Sequence, residues 1–208
     1  MVPDVVILRL PAYIRILTEL SDQNTTVVSS RELGILLQMT PAQIRKDLSY
    51  FGRFGKQGKG YNVKFLQHEL RRILGLDKIW PACLVGVGRL GQAIINYPGF
   101  APEGFEILAA FDGDSSQVGR KVGDLTVLPM SSLSITLKRR SILIGIVAVP
   151  SKHAQTVIDE LVGAGITGVL NYAPISPQVP GGITLRNIDP VLSLQSMTFY
   201  LLRGHLSE

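Results

Sequence analysis

Residues 85–92 read VGVGRLGQ and contain three glycines, Gly86, Gly88 and Gly91, at the spacing GxGxxG. At this spacing the first glycine permits a tight turn, the second lets the backbone approach a diphosphate, and the third permits close packing of a helix on a strand. The motif joins the apolar run ACLV to the helical pattern LGQAIINY. We therefore predict a dinucleotide-binding loop. Its residues are Gly86, Val87, Gly88, Arg89, Leu90 and Gly91.

A carboxylate stands where such a loop requires one. Asp112 ends the next apolar run, FEILAAF, 21 positions after Gly91. A carboxylate here hydrogen-bonds the ribose hydroxyls and repels a 2′-phosphate, so the spacing favours NAD(H) over NADP(H). Asp114 is the alternative ribose partner. A similar domain with a different ligand, or with none, is the alternative for the whole motif.

Groups that could transfer a proton to a substrate are scarce. Of the three histidines, only His153 follows a predicted strand at the end where a substrate would lie. A solvated residue in the first turn of a helix is the simpler interpretation of His153. The single cysteine, Cys83, lies within an apolar run and is predicted to be a packed strand residue. We predict no catalytic residue and no metal site.

Positive charge is concentrated in the first part of the chain. Residues 1–80 contain 12 Lys and Arg against 7 Asp and Glu, whereas residues 81–208 contain 9 of each class. Residues 41–64 alone carry six basic side chains and a single acid, Asp47. Such a cluster is typical of a surface that binds a polyanion, for which DNA is the main candidate.

Three helices are predicted in and before this basic cluster. The first covers about residues 11–20, with a proline near its start. Ser29 and Glu32 form a capping box at the second, and Thr40 and Gln43 form another at the third. Two capped helices joined by a short turn indicate a helix-turn-helix.

The third of these helices has two faces. At about 100° per residue, Ile44, Leu48 and Phe51 share a packing stripe. The opposite face comprises Ala42, Lys46 and Ser49, flanked by Arg45 and Tyr50. The glycine-rich segment GRFGKQGKGYNV follows, and its density of glycines suits a tight hairpin that runs into the strand-forming YNVKFL. This order of elements predicts a winged helix, followed by a further helix over about residues 65–75.

From residue 82 the pattern changes to short apolar runs that alternate with helical stretches. The runs are ACLVGV, FEILAAF, LTVL, ILIGIVAV, TGVLNY and ITLRN. Apolar runs of this kind are required by a parallel sheet covered on both faces, so the second part is predicted to be α/β. The domain boundary is placed near residues 78–81. The stretch DPVLSLQSMTFYLLRG then closes the chain as an amphipathic helix, with Asp189 as its cap.

The composition is that of a globular protein. The chain has 208 residues, of which 46% are hydrophobic, enough to form cores in two small domains. Its longest apolar run, ILIGIVAV, is much shorter than the ~20 residues that cross a bilayer. The first residues lack the basic and then apolar pattern of a signal peptide. We therefore expect a cytoplasmic location and no membrane partner.

The segments IRKDLSYFGRFGKQGKGYNV, VGVGRLGQAI, FDGD and GVLNYAP occur in this order, and the chain thereby resembles the redox-sensing transcriptional repressor family Rex over essentially its whole length. The resemblance implies an α/β homodimer with a winged helix over residues 1–78, a Rossmann-type parallel sheet over 79–188, and a helix over 189–208 swapped into the partner. It implies binding to inverted-repeat operators in double-stranded DNA when NADH is low, release when NADH binds, and no enzymatic activity.

The resemblance also implies the site residues. Beside the glycine loop and Asp112, the cofactor-binding residues for NADH or NAD⁺ are Val149, Pro150, Asn171, Ala173 and Pro174. The DNA-binding residues are Ser30, Arg31, Gln43, Arg45, Lys46, Ser49, Tyr50, Lys56, Gln57, Gly58, Lys59 and Gly60. Arg15, Tyr97 and Asp189 match a state-dependent switch in which the aspartate pairs with Arg or with Tyr. The chain departs from the family at Pro190, where similar proteins often have Phe.

Two other functions are compatible with the same residues. The first is a small NAD-dependent dehydrogenase that uses His153 and carries a basic N-terminal appendage. The second is a nucleotide-binding regulator of a channel or transporter that contacts an acidic partner. The dehydrogenase requires turnover of NADH with a carbonyl substrate, whereas the regulator requires no sequence-specific contact with DNA.

Overall fold

The computed structural model describes residues 2–56 and 58–204. These residues form two units, one ending at Lys78 and the other beginning at Ile79. The elements of the first unit are α1 (Asp4–Asp22), β1 (Val27–Val28), α2 (Ser30–Leu37), α3 (Pro41–Ser49), β2 (Gly55–Lys56), β3 (Gly60–Asn62) and α4 (Val63–Ile73). The three strands form an antiparallel sheet in the order β1-β3-β2. Helices α2 and α3 with this small sheet constitute the predicted winged helix.

Helix α1 is longer than predicted. It begins at Asp4 rather than near residue 11, and Pro11 lies inside it. Proline has no N–H to donate to the carbonyl of Ile7, but Pro11 is exposed, so water can satisfy that carbonyl. The buried stripe Val6, Leu10, Tyr13 and Leu17 continues past the proline. Burial of this stripe therefore outweighs the missing hydrogen bond.

Two further local expectations require correction. The strand predicted in YNVKFL ends at Asn62, because its side-chain oxygen accepts the N–H of Phe65 at 2.9 Å and so caps α4. The capping box at Ser29 is confirmed in both directions. At Thr40 only half of the box forms: Thr40 accepts the N–H of Gln43, but the Gln43 amide donates to Asp47.

The second unit is built on one central sheet. Its elements are β4 (Trp80–Val85), α5 (Arg89–Ile95), β5 (Phe105–Asp112), β6 (Lys121–Val122), β7 (Leu125–Pro129), α6 (Leu133–Arg139), β8 (Ile144–Val147), α7 (Ser151–Gly163), β9 (Gly168–Asn171), β10 (Thr184–Asn187) and α8 (Pro190–Gly204). The sheet order is β10-β9-β8-β4-β5-β7-β6, and every pairing is parallel except that of β6 with β7. Apart from the edge strand β6, this is the Rossmann order, which confirms the predicted α/β class.

Both faces of the sheet are covered. Cys83 and Val85 pack in one core, which includes residues of α6 and α7, whereas Ala82 and Leu84 pack in a second core with Ile94 of α5. Cys83 is fully buried, and burial raises the pKa of its thiol to about 12, so this cysteine is a core residue. Within the part of the chain that the structure describes, no helix combines the length and apolarity needed to span a membrane.

Helix α8 is the exception to this packing. All side chains from Pro190 to Leu202 are exposed. The large apolar side chains that it leaves open are Val191, Leu192, Leu194, Met197, Phe199, Tyr200, Leu201 and Leu202. The helix predicted from Asp189 onward is therefore present, and its large apolar side chains are more than half exposed in the part of the chain that the structure describes.

The turn between α2 and α3 admits no side chain at Gly34. A Cβ atom there would lie 2.5 Å from the backbone oxygen of Met39, whose N–H donates to the Gly34 carbonyl at 2.8 Å. We predict that Gly34→Ala lowers the free energy of unfolding by at least about 2 kcal/mol, because backbone atoms must move apart. Gly163→Ala is the control, since a Cβ at this helical position has no atom within 4 Å. It should be neutral or stabilise by up to about 1 kcal/mol. Urea denaturation of both variants measures the difference, and equal values would contradict the close approach.

Candidate dinucleotide site and nucleic-acid interface

The glycine loop lies where the chain reverses direction across the sheet. After β4 the chain proceeds to β5 and β7, and it returns to the other side of β4 as β8. The segments that follow β4 and β8 therefore diverge at the carboxyl edge of the sheet, and the gap between them is where open α/β sheets bind ligands. Gly86 and Ala148 begin these two segments.

The three glycines of the loop have different surroundings. Gly86 has a φ of 97°, and a Cβ on it would lie 2.6 Å from the Ala148 carbonyl oxygen. A Cβ on Gly91 would overlap the backbone of Gly86. A Cβ on Gly88, in contrast, has no protein atom within 4 Å. Packing within the chain explains Gly86 and Gly91, whereas Gly88 leaves a space that faces the cavity.

Asp112 holds the loop in place. One of its carboxylate oxygens accepts the N–H of Val87 at 2.7 Å, and the other accepts the N–H of Asp114 at 2.9 Å. Asp114 is exposed and its carboxylate accepts from Ser116, which holds the pKa of Asp114 below its ordinary value. Both carboxylates line the same cavity. Each can therefore accept a ribose hydroxyl, and together they disfavour a phosphate on that ribose.

The cavity has the dimensions of a small-molecule site. Its volume is about 640 Å³, and its walls include Gly86, Gly88, Asp112, Val149 and Pro150. This volume lies within the range of about 300–1,000 Å³ that is usual for cofactor pockets. Open backbone at Gly88, acceptors at one end and apolar walls elsewhere are the features that a dinucleotide requires.

One face of α7 completes the wall, and His153 is the one residue of this face that the sequence singles out. His153, Thr156, Val157 and Glu160 all line the cavity. Their spacing of three, four and seven residues places them on one face of a helix that starts at the end of β8. This spacing in the sequence is the signal from which the cavity-lining face of α7 could be predicted. The His153 side chain is exposed, and no hydrogen bond to an acid orients it in the described structure.

Asn171, Ala173 and Pro174 are not among the residues that line the cavity. The Asn171 side chain is fully buried, its oxygen accepts the N–H of Ala173 at 3.0 Å, and its nitrogen donates to the Ala173 carbonyl and to Asn187. The structure thus engages this amide within the protein, beside the carboxyl end of β8. A contact of Asn171, Ala173 or Pro174 with the nicotinamide stays a prediction.

The predicted reading face of α3 is exposed, while Ile44 and Leu48 are buried beneath it. The exposed residues are Ala42, Arg45, Lys46, Ser49 and Tyr50. Arg45 donates to the Ser30 hydroxyl at 3.0 Å, so the first residue of α2 orients this guanidinium. Arg31 is exposed beside it. Four cationic or polar side chains on this face, Arg45, Lys46, Ser49 and Tyr50, suit contacts to phosphates and base edges.

The wing lies beside that helix. A concave surface of about 670 Å³ is lined by Ser30, Arg45, Gly55, Gly58 and Gly60, together with Ser29 and Tyr61. A Cβ on Gly60 would lie 2.7 Å from the Val28 oxygen, so this glycine is required by strand packing. Gly58 and Lys59 form the exposed turn. Gln57 and the side chain of Lys56, both predicted to bind DNA, lie outside the described residues.

A buried carboxylate fixes α3 against α1. Asp47 is fully buried and accepts hydrogen bonds from Arg9 at 2.7 and 2.7 Å, from Tyr13 at 3.0 Å and from Gln43 at 2.6 Å. Burial and the Asp47 carboxylate raise the pKa of Tyr13, so the phenol stays a donor. Gln43, predicted to bind DNA, is instead held in this cluster. We call Arg9, Tyr13, Gln43 and Asp47 the Asp47 cluster.

The predicted switch residues lie on three separate segments of the described structure. Tyr97 is 59% exposed, and its ring packs edge-on against Phe100. Asp189 caps α8 by accepting the N–H of Val191 at 2.9 Å. Arg15 is exposed on α1. Among the described residues no hydrogen bond links Tyr97 to Asp189, so a pairing between these side chains remains an expectation.

Comparison with known proteins gives the same two-part division. Residues 1–49 match the family model "Putative DNA-binding protein N-terminus", and residues 77–175 match "CoA binding domain". The redox-sensing transcriptional repressor Rex of Chloroflexus aurantiacus is 53% identical over 97% of this chain and 95% of its own length. The repressor of the same name from Desulforamulus reducens is 43% identical over 96% of this chain and 95% of its own.

Two solved structures of one protein, RSP, also match nearly the whole chain. RSP in complex with NAD⁺ and operator DNA has a TM-score of 0.93 and 40% identity, with 99% of this chain and 95% of that chain covered. RSP in complex with NADH has a TM-score of 0.91 and 38% identity, with 99% and 97% covered.

The open space at Gly88 yields a prediction. Gly88→Ala should leave the fold intact, because the added methyl meets no protein atom within 4 Å. It should weaken NADH and NAD⁺ binding by at least about tenfold, because the methyl occupies the space through which a diphosphate approaches the backbone. Isothermal titration calorimetry measures both affinities. Gly181→Ala is the control, because a Cβ there also has no atom within 4 Å and Gly181 is not among the residues that line the cavity. Equal affinities in the two variants would contradict the assignment.

The Asp47 cluster yields a second prediction. Arg9→Met removes the only cation that pairs with Asp47 among the described residues, and leaves a buried charge with neutral donors. The free energy of unfolding should fall by about 3 kcal/mol. The control, Arg72→Met, breaks a pair with Glu69 in which the guanidinium is exposed, and should leave the free energy of unfolding almost unchanged. Urea denaturation compares the two, and similar losses would contradict a structural role for the cluster.

Proposed function

The chain belongs to the Rex family of redox-sensing transcriptional repressors, and on this basis we propose that it binds operator DNA as a homodimer and is released by NADH. One observation supports this function above the others: a single chain combines an exposed basic recognition helix with a separate cavity built around a GxGxxG loop. The cavity would hold the nucleotide signal and the helix would read the DNA. Both DNA and NADH are available in the cytoplasm, where we place the protein.

On the DNA side, α3 would enter the major groove. Arg45 and Lys46 would contact base edges and phosphates, with Ser49 and Tyr50 beside them. The wing turn at Gly58 and Lys59 would contact the adjacent backbone or minor groove. The net positive charge of the first part of the chain supplies the attraction that is independent of sequence.

The exposed apolar side chains of α8 support a homodimer. Eight large apolar side chains of this helix are between 51% and 73% exposed in one chain. A second copy would cover such a surface, and exchange of the helix between two chains satisfies both copies at once. Two recognition helices related by a twofold axis would then match an inverted-repeat operator.

On the nucleotide side, the charge of the nicotinamide ring supplies the redox signal. The oxidised ring is cationic and the reduced ring is neutral. Val149, Pro150 and Met130 form apolar parts of the cavity wall, which a neutral ring contacts at lower desolvation cost. NADH therefore favours a more closed form of the dimer than NAD⁺ does. Because a ligand shifts an equilibrium only by its differential affinity, NADH must prefer the form that does not bind DNA.

The relatives are named repressors, and we assign no catalytic residue to this chain. His153 lines the cavity without an acid to orient it in the described structure. A dehydrogenase would require that histidine to exchange a proton with a substrate. We therefore interpret His153 as part of the cavity wall.

Fluorescence anisotropy with a duplex that the protein itself selects from a random-sequence library tests this function. Saturating NADH should weaken binding by at least about fivefold, whereas NAD⁺ should not. Lys46→Ala should weaken binding and reduce the slope of log affinity against log salt by about one unit. The control is Lys138→Ala, which removes an equal charge from the second unit. It should change neither the affinity for the duplex nor the slope of log affinity against log salt. Equal effects of NADH and NAD⁺ would overturn the redox-sensing function, and failure to select any duplex would overturn DNA binding.

A further inference from the structure

We infer that the side chains of Asn171 and Asn187 act as positioning residues that couple the nucleotide cavity to helix α8. The inference rests on the proposed function and identifies a physical link for it. Neither side chain is assigned to nucleotide or DNA by the geometry, yet they are hydrogen-bonded to each other at 2.9 Å. We call this contact the Asn171–Asn187 bridge.

One end of the bridge leads to the cavity wall. Asn171 is the last residue of β9, directly opposite Val147 of β8. The N–H of Tyr172 donates to the Val147 carbonyl at 2.9 Å, and the following segment, Ala148 to Pro150, lines the cavity. Any displacement of this wall on nucleotide binding therefore acts directly on the end of β9.

The Asn171 amide is fully engaged by its surroundings. Its oxygen accepts the N–H of Ala173, and its two N–H groups donate to the Ala173 carbonyl and to the Asn187 side-chain oxygen. Because both donors are used and the side chain is fully buried, rotation of the amide would leave buried polar groups without partners. The amide is therefore a rigid connector between the turn after β9 and the end of β10.

The other end of the bridge leads to α8. Asn187 is the last residue of β10, and the next residue, Ile188, donates its N–H to the Asn171 carbonyl at 2.8 Å. Asp189 follows immediately and caps α8 through the N–H of Val191. Three hydrogen bonds therefore connect the first turn of α8 to the segment that leads into the cavity wall: Val191 to Asp189, Asn171 to Asn187, and Tyr172 to Val147.

A side-chain hydrogen bond and a backbone hydrogen bond connect the end of β9 to the end of β10. Only the side-chain bond, between Asn171 and Asn187, can be removed by mutation. The backbone bond from Ile188 keeps β10 paired when the side-chain bond is lost. Asn187 is exposed, so its truncation leaves no cavity in the core. A variant at Asn187 therefore weakens the link while the cavity, the recognition helix and α8 keep their own residues.

The test measures the coupling ratio, defined as the factor by which saturating NADH weakens binding to the selected duplex. In Asn187→Ala the coupling ratio should fall at least about threefold, which is the size of effect usual for residues that couple two sites. The affinity for NADH in the absence of DNA should stay within about twofold of the wild-type value. Asn187→Asp keeps an oxygen that can accept from Asn171 and should restore the ratio. Gln155→Ala removes another amide that links two segments, through the backbone of Gln178, and should leave the ratio unchanged.

The possible outcomes separate this inference from the proposed function. If wild-type protein binds the duplex equally with and without NADH, the proposed function fails. If wild type responds and Asn187→Ala keeps the full ratio, the bridge carries no coupling and the inference is overturned. A loss of NADH affinity in Asn187→Ala without a change in the ratio also overturns it, as does an equal defect in Asn187→Asp. Should Asn187→Ala not fold, the comparison of Asn187→Asp with Asn187→Ser decides between the same results.

Discussion

The crowding of two backbones at the carboxyl end of β4 is the constraint on which the nucleotide unit depends. Gly86 lies against the Ala148 carbonyl, and Gly91 packs α5 onto the Gly86 backbone, so neither position admits a side chain. This contact joins the segments after β4 and β8 at the point where the chain reverses across the sheet. The same contact leaves Gly88 open toward the cavity and lets Asp112 reach the Val87 N–H. The same backbone contact therefore explains both the open space at Gly88 and the fixed position of the glycine loop.

The DNA-binding unit depends on a different kind of interaction. Its recognition helix is too short to be stable alone, and a buried charge fixes its orientation. Asp47 is buried against α1 whereas the neighbouring Lys46 is exposed, so the cluster that holds the helix and the surface that would read DNA belong to one nine-residue segment. A buried ion pair of this kind contributes little net stability compared with apolar packing, but it is costly to break and specifies one geometry. A helix that contacts specific DNA bases must be held in one orientation.

The sequence predicted those features that depend on neighbouring residues. The Ser29 capping box, the glycine loop, the exposed face of α3 and the strand runs all follow from spacing within one element. Features that depend on distant residues were not predictable in this way. Arg9 and Asp47 are 38 positions apart, and nothing local shows that Gln43 turns toward them. The family resemblance predicts a nucleotide contact for Asn171, but nothing local predicts the hydrogen bond between its amide and Asn187, sixteen positions away. The extent of α1 was underestimated because a proline in an exposed position ends a helix less strictly than its intrinsic cost suggests.

The proposed function requires that NADH and DNA bind to different forms of the same dimer. Binding linkage is reciprocal, so DNA must weaken NADH binding by the factor by which NADH weakens DNA binding. The most direct measurement is isothermal titration calorimetry of NADH into the free protein and into the protein saturated with its selected duplex. We predict weaker NADH binding to the DNA complex, by the same factor as in the DNA titration, and no such difference for NAD⁺. Equal NADH affinity in the presence and absence of DNA would contradict it.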